Sequence, residues 1–169
     1  LAQGSTPAEA LEAELKALEV LDDVDLVCAP DIMWAQNGEP WPEDEMRRMQ
    51  AAVLKHCRIC GDRFAILDTP PELGVDRAQA YPQSLRQTGA PEGANGALYY
   101  PWIHVLDGPL ASDRFVPPCG HVAGVYARTD ENSGVYKAPA NEVVESALDL
   151  RVRVSDVQQG KLNPKGVNC

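Results

Sequence analysis

Basic residues are the scarce class in this sequence: 15 Lys and Arg stand against 25 Asp and Glu, a formal net charge of -10 over 169 residues. Such a chain repels a phosphate backbone, which argues against nucleic acid as a direct partner. No apolar run approaches the ~20 residues of a membrane-spanning helix, so membrane insertion is not expected. The opening stretch LAQGSTPAEALEAEL has neither a basic n-region nor an apolar h-region, and no secretory signal is read there. The chain starts without Met and stops in GVNC, as a piece of a longer protein does. Cysteine occurs at 28, 57, 60, 119 and 169, an odd count with no signal peptide beside it, so reduced thiols in a cytosolic setting are expected. Only Cys57 and Cys60 form a CxxC. The second pair that zinc needs is missing, and His56 precedes the pair where haem attachment places a His after it. There is no Walker loop, no G-x-G-x-x-G and no H-E-x-x-H. No metal and no cofactor are therefore expected.

What is present suits one buried core, with 44% hydrophobic residues. Thr6-Pro7-Ala8-Glu9 is a capping box with Pro at the first helical position, and Leu11, Leu15, Leu18 and Leu21 follow on one face. Residues 24–29 (VDLVCA) predict a buried strand. Residues 31–41 form a loop whose Trp34 and Trp41 anchor on the core. A second helix opens at Pro42 with acids in its first turn, carries Met46, Met49, Val53 and Cys60 on its apolar side, and stops at Gly61. Residues 64–67 (FAIL) predict a strand, and residues 75–87 a helix that Pro82 kinks or splits. After a flexible connection over 89–96, residues 97–106 (ALYYPWIHVL) predict one strand with Pro101 at an edge or bulge. A helix follows Pro117 and Pro118. Residues 135–141 are extended or turning, 142–148 a short helix, 150–154 a strand and 155–161 a short helix, and a last strand begins at Val167. Alternating strands and helices predict a single α/β core domain over residues 1–169, its largely parallel sheet covered by helices on both faces.

The segment PPCGHVAGVYARTD, residues 117–130, poses the catalytic question. GHVAG resembles the helix after the catalytic histidine of subtilisin-like proteases, whose motif reads H-G-T-H-V-A-G. Aligned on it, His121 matches the second histidine, and the catalytic first one becomes Pro118, which cannot take a proton. The serine signature G-T-S-M-A and the acid's D-[ST]-G are missing, and Ser133 and Ser155 sit in no nucleophile elbow. No catalytic residue is assigned, and a subtilase-like hydrolase fragment or inactive relative stands as the alternative. The helix has a structural explanation instead. Gly120 and Gly124 share a face, each costs about 1 kcal/mol relative to Ala within a helix, and the pair predicts close approach to another backbone. His121 is then a polar residue near a helix start.

Four segments, LYYPWIHVLD (98–107), PPCGHVAGVYARTD (117–130), GVYKAPANE (134–142) and LNPKGVN (162–168), in that order and spacing, closely resemble contractile phage tail sheath proteins, a family that includes sheaths of R-type pyocins and phage-derived injection particles. VDLVCAPD and the strand at Phe64 fit more loosely. The resemblance implies the family's central region, called subtilisin-like for its fold and not for protease activity. It implies a structural subunit, and not an enzyme, that stacks in hexameric rings with copies of itself around an inner tail tube protein. Terminal arms add strands to neighbours' sheets, and near-rigid subunit motion contracts the sheath to drive the tube through a target envelope. It implies assembly in the bacterial cytoplasm into a virion tail or injection particle. The family chain continues past GVN into a tube-facing domain and an arm. This stretch alone is therefore expected to be soluble and monomeric. On the same resemblance Tyr99, Tyr100, Pro101 and Trp102 are packing or interface anchors, with Pro117, Pro118, Gly120, His121, Gly124, Tyr126, Pro139 and Asn141 as further motif positions. Tyr136 stands where the family's GVWKAPA carries Trp. Arg128 and Asp130 form a local ion pair or remain two solvated charges. Lys137 meets a neighbour's carboxylate or is a plain surface lysine. The acidic face from Glu9 to Asp25 suits a basic patch on the next subunit.

Overall fold

The computed structural model describes residues 6–91, 95–107 and 112–169; part of the 89–96 connection, residues 92–94, lies outside them. Helix α1 (Pro7–Ala17) begins at both halves of the expected capping box. The Glu9 amide donates to Thr6 Oγ1 at 3.3 Å and the Thr6 amide to Glu9 Oε2 at 2.8 Å. The leucine stripe does not continue as helix, however. α1 ends at Ala17 because the Leu18 and Leu21 carbonyls turn away to accept from the buried Arg63 guanidinium, at 2.9 and 2.8 Å.

Strands β1 (Leu26–Cys28), β2 (Phe64–Asp68), β3 (Gly96–Tyr99) and β7 (Val167–Asn168) form one parallel sheet in the order β1-β2-β3-β7. Alternate residues face opposite ways. Val27, Ala65, Leu67, Leu98 and Val167 bury against α2 (Glu43–Cys60), α3 (Val75–Gln87) and α5 (Asp156–Leu162). Leu26, Cys28, Phe64, Ile66 and Tyr99 pack on α4 (Cys119–Ser133). The parallel sheet with helices on both faces is thus the observed architecture. α2 stops at Gly61, which takes the left-handed conformation at φ 76°. β3 approaches α2 so closely that a methyl group at Gly96 would lie 2.5 Å from Leu54 Cδ2.

Several expectations need correction. Residues 97–106 are not one strand. The chain breaks at the cis Tyr100–Pro101 peptide, where Pro101 has no N–H for a ladder, and resumes as β4 (Ile103–Asp107) in a different sheet. There β4 pairs antiparallel with β5 (Ser112–Val116), a strand the sequence reading missed, and with β6 (Asp149–Leu150). Residues 142–148 are not helical. Ser146 takes φ 65° in a turn, and the Leu148 amide donates to the His104 carbonyl at 2.9 Å, which starts β6. The strand expected over 150–154 shrinks to β6. The expected loop at 31–41 holds a 3-10 turn (Pro30–Met33) and a Trp34–Pro40 bridge. Pro82 does not split α3; Tyr81 and Leu85, buried on either side of it, keep the helix docked.

A second cluster packs the 3-10 turn and the N-terminal half of α2 around Trp102. Met33, Met46, Met49 and Trp102 are buried together, with Trp41 packed against them and Trp34 edge-on to Trp102 at 5.6 Å.

Candidate functional site

The carboxyl ends of β1, β2 and β3 meet the start of α4, and the polar side chains there are committed to structure. Asp68 closes β2 and is 2% exposed. Residue Pro118 at the N-cap of α4 has no side-chain oxygen to offer, so Asp68 supplies one: its Oδ1 accepts from the Cys119 amide at 2.8 Å. Burial pushes the Asp68 carboxyl up to about 6, with the hydrogen bonds from Cys119 opposing. Its carbonyl accepts from Gln50 Nε2 at 2.6 Å, and Gln50 Oε1 accepts from the Tyr81 hydroxyl at 2.9 Å, a connected and fully buried chain. Sequence reasoning missed Asp68, Gln50 and Tyr81. The only available signal was an acid at a strand end ahead of a helix capped by Pro.

The partner of Asp68 is therefore a backbone amide and not an imidazole. His121 instead lines a groove of about 630 Å³ with Trp34, Leu106, Phe115, Pro117 and Gly120. Ser155 caps α5, its Oγ accepting from the Gln158 amide at 3.4 Å, and Ser133 is the last residue of α4.

The aromatic motif residues take distinct places. The Trp102 indole N–H donates to the Thr69 carbonyl at 2.7 Å and the Tyr100 hydroxyl to the Leu73 carbonyl at 3.0 Å, both side chains buried. Tyr99 and Tyr126 share a hydroxyl–hydroxyl bond at 3.0 Å, and Tyr126 stacks on Phe64. Burial, then the Tyr126 bond, raises the Tyr99 phenol above its ordinary value. Tyr136 is 88% exposed and Val135 85%; the Tyr136 ring lies over Gly134 and enters no core cluster of the described residues.

Ion pairing departs from expectation as well. Arg128 reaches Glu145 at 2.7 Å, the Val143 carbonyl at 2.6 Å and, more distantly, Glu142 at 4.0 Å, in place of Asp130. The segment after α4 folds back along the helix, and that brings these acids to Arg128. Lys137 pairs with Glu142 of its own chain at 2.6 Å and holds that carboxyl below its usual range. Cys57 is buried and its thiol pushed up to about 11, and Cys60 Sγ lies 3.9 Å from the His56 ring. Among the described residues, no three His, Cys, Asp or Glu side chains gather as a metal site.

Gly120 and Gly124 meet no close neighbour: among the described residues nothing lies within 4 Å of a Cβ placed at either, so the close approach expected for them is not made there. Gly124→Ala is accordingly expected to stabilise the isolated chain by about 0.5–1 kcal/mol through helix propensity. A thermal melt checks this, and a lowered midpoint would reveal a contact on that face.

All four motif segments converge on one cleft of about 490 Å³. Tyr99 and Pro101 come from the first, Pro118 from the second, Pro139 and Asn141 from the third and Asn168 from the fourth. Val122, Val125 and Leu150 add apolar wall, and the cleft opens beside β7, the last strand in the parallel sheet's order.

Comparison with known proteins bears on what such a cleft serves. A family model of the phage tail sheath protein central domain matches residues 7–169. A tail sheath protein of Salmonella phage ViI is 46% identical over 39 residues, 23% of this chain and 6% of the relative. Among solved structures, a chain of the anti-feeding prophage baseplate superposes with TM-score 0.65 at 27% identity, covering 94% of this chain. A chain of the anti-feeding prophage helical sheath in its contracted state gives 0.58 at 28% over 99%. A chain of an extracellular contractile injection system, the PVC sheath complex in its contracted state, gives 0.64 at 30% over 92%. The chain spans 37–40% of the length of these three structural relatives.

Proposed function

The chain belongs to the phage tail sheath protein family, and on that premise we propose that it is the α/β core of a structural subunit that polymerises into a contractile sheath. Its relatives are parts of phage tails and injection particles, and no helix among the described residues is long and apolar enough to cross a membrane. The observation that carries the proposal is the likeness to two sheaths in their contracted state over 92% and 99% of this chain.

In this reading the work of the domain is fitting against copies of itself, in hexameric rings around an inner tube protein. The motif cleft, with its apolar walls and the amide side chains of Asn141 and Asn168, seats a segment of a neighbouring copy. The exposed Val135 and Tyr136 face a neighbour. Catalysis is no part of this role: the buried Asp68 carboxyl is taken up by the Cys119 amide at the start of α4. Assembly takes place in the bacterial cytoplasm, and the product is a virion tail or an injection particle.

Negative-stain microscopy of the protein expressed from its complete reading frame tests this. Rings or tubular rods are expected. A protein that stays monomeric under every assembly condition, or that turns over casein in a manner blocked by a serine-directed inhibitor, overturns it.

A further inference from the structure

Two of the five cysteines meet at the junction of sheet and helix, although 91 positions separate them in the chain. Cys28 closes β1 and Cys119 opens α4. Cys28 Sγ donates to the Cys119 carbonyl at 3.6 Å, which brings the side chain of one cysteine onto the backbone of the other. Cys119 is fully buried, with its amide held by Asp68; Cys28 is only partly buried. We propose that Cys28 and Cys119 are a modification site, forming a reversible disulfide when the protein meets a peroxide.

The two sulfurs are unequal in a way that sets the order of events. The neighbouring Cys119 side chain holds the Cys28 thiol below its ordinary value, against burial and the Asp68 charge. Cys119 is held above its ordinary value by the neighbouring Cys28 side chain, by burial and by Asp68. The partly exposed, more acidic sulfur is the one that reacts first. The Cys28 thiolate attacks one oxygen of hydrogen peroxide, the O–O bond breaks, and the departing hydroxide leaves as water after taking a proton, giving the sulfenic acid at Cys28. The Cys119 sulfur then attacks the Cys28 sulfur. The S–S bond forms, the S–O bond breaks, and the leaving hydroxide takes the Cys119 proton as a second water. Two thiols have lost two electrons and one peroxide has become two waters. A dithiol reductant reverses the link by exchange.

Cys57 and Cys60 are the less reactive pair. Cys57 is fully buried inside α2, and burial pushes its thiol up to about 11. The Cys28–Cys119 link ties the end of β1 to the first turn of α4 across a long loop, so it constrains the unfolded chain.

The test treats the purified chain with hydrogen peroxide, removes the peroxide, unfolds the chain in guanidinium with iodoacetamide so that every remaining thiol is blocked, and maps the peptides without reduction. The expected result is a linked peptide pair carrying Cys28 and Cys119, with Cys57, Cys60 and Cys169 alkylated. A thermal midpoint raised by about 5 °C or more accompanies it and is lost on adding dithiothreitol. Cys119→Ser is expected to trap a dimedone-reactive sulfenic acid at Cys28, whereas Cys57→Ser leaves the link intact. A link running instead through Cys57, Cys60 or Cys169, or peroxide treatment that leaves Cys119 alkylated, overturns the proposal.

Discussion

Replacing Trp102 by alanine is expected to cost about 4 kcal/mol of folding stability, the largest loss foreseen for a motif residue. Trp102 is 2% exposed, packs with Met33, Met46 and Met49, meets the edge of Trp34, and bonds the Thr69 carbonyl at 2.7 Å. Truncation opens a cavity against the 3-10 turn and α2 and orphans the buried Thr69 carbonyl. Trp102→Phe keeps most of the volume and loses the N–H, so about 1–2 kcal/mol is expected for it. Urea denaturation with unchanged m-values checks both. A Trp102→Ala chain within 1 kcal/mol of the parent, a loss typical of surface changes, would show that this indole works outside the core.

The second large effect depends on pH. Burial raises the folded-state pKa of Asp68 from 3.8 to about 6. The native state therefore holds a proton there that the unfolded chain releases between those values. The stability contributed by that proton is fully present below pH ~4 and is lost as pH rises through about 6, a difference of about 3 kcal/mol. Asp68→Asn keeps an oxygen for the Cys119 amide and removes the ionisation. It is expected to be more stable than the parent above pH 6, by up to about 3 kcal/mol less the charge–dipole attraction it forfeits at the start of α4. The advantage shrinks toward pH 4. His56 acts in the opposite sense: burial, then Arg63, lowers its pKa, so its contribution is lost as pH falls below the usual histidine range. That slope is common to both proteins and cancels in their difference. Denaturant titrations of the pair from pH 4 to 8 decide the matter, and parallel curves would sink the assignment.

The readable elements were those whose local signals need no partner. The Thr6 capping box, the acid-rich start and Gly61 stop of α2, and the apolar strand at Phe64 each carry their instruction within a few residues. Misreadings fell where distant groups compete for the same backbone. Leu18 and Leu21 fit a helical stripe, yet Arg63 claims their carbonyls. Residues 142–148 have helical composition, but Arg128 takes the Val143 carbonyl and His104 takes the Leu148 amide. Propensity is a weak prior against such tertiary bonds.

The family resemblance, the parallel α/β framework and the lack of a subtilase relay signature around His121 were legible from the residues alone, because motif order and residue type are local and discrete. That Asp68 caps α4, that Arg128 pairs with Glu145 and that Cys28 meets Cys119 emerges from the packing. Each of those contacts joins residues far apart in the chain, and their closeness is fixed by how the sheet and helices pack rather than by any spacing along it.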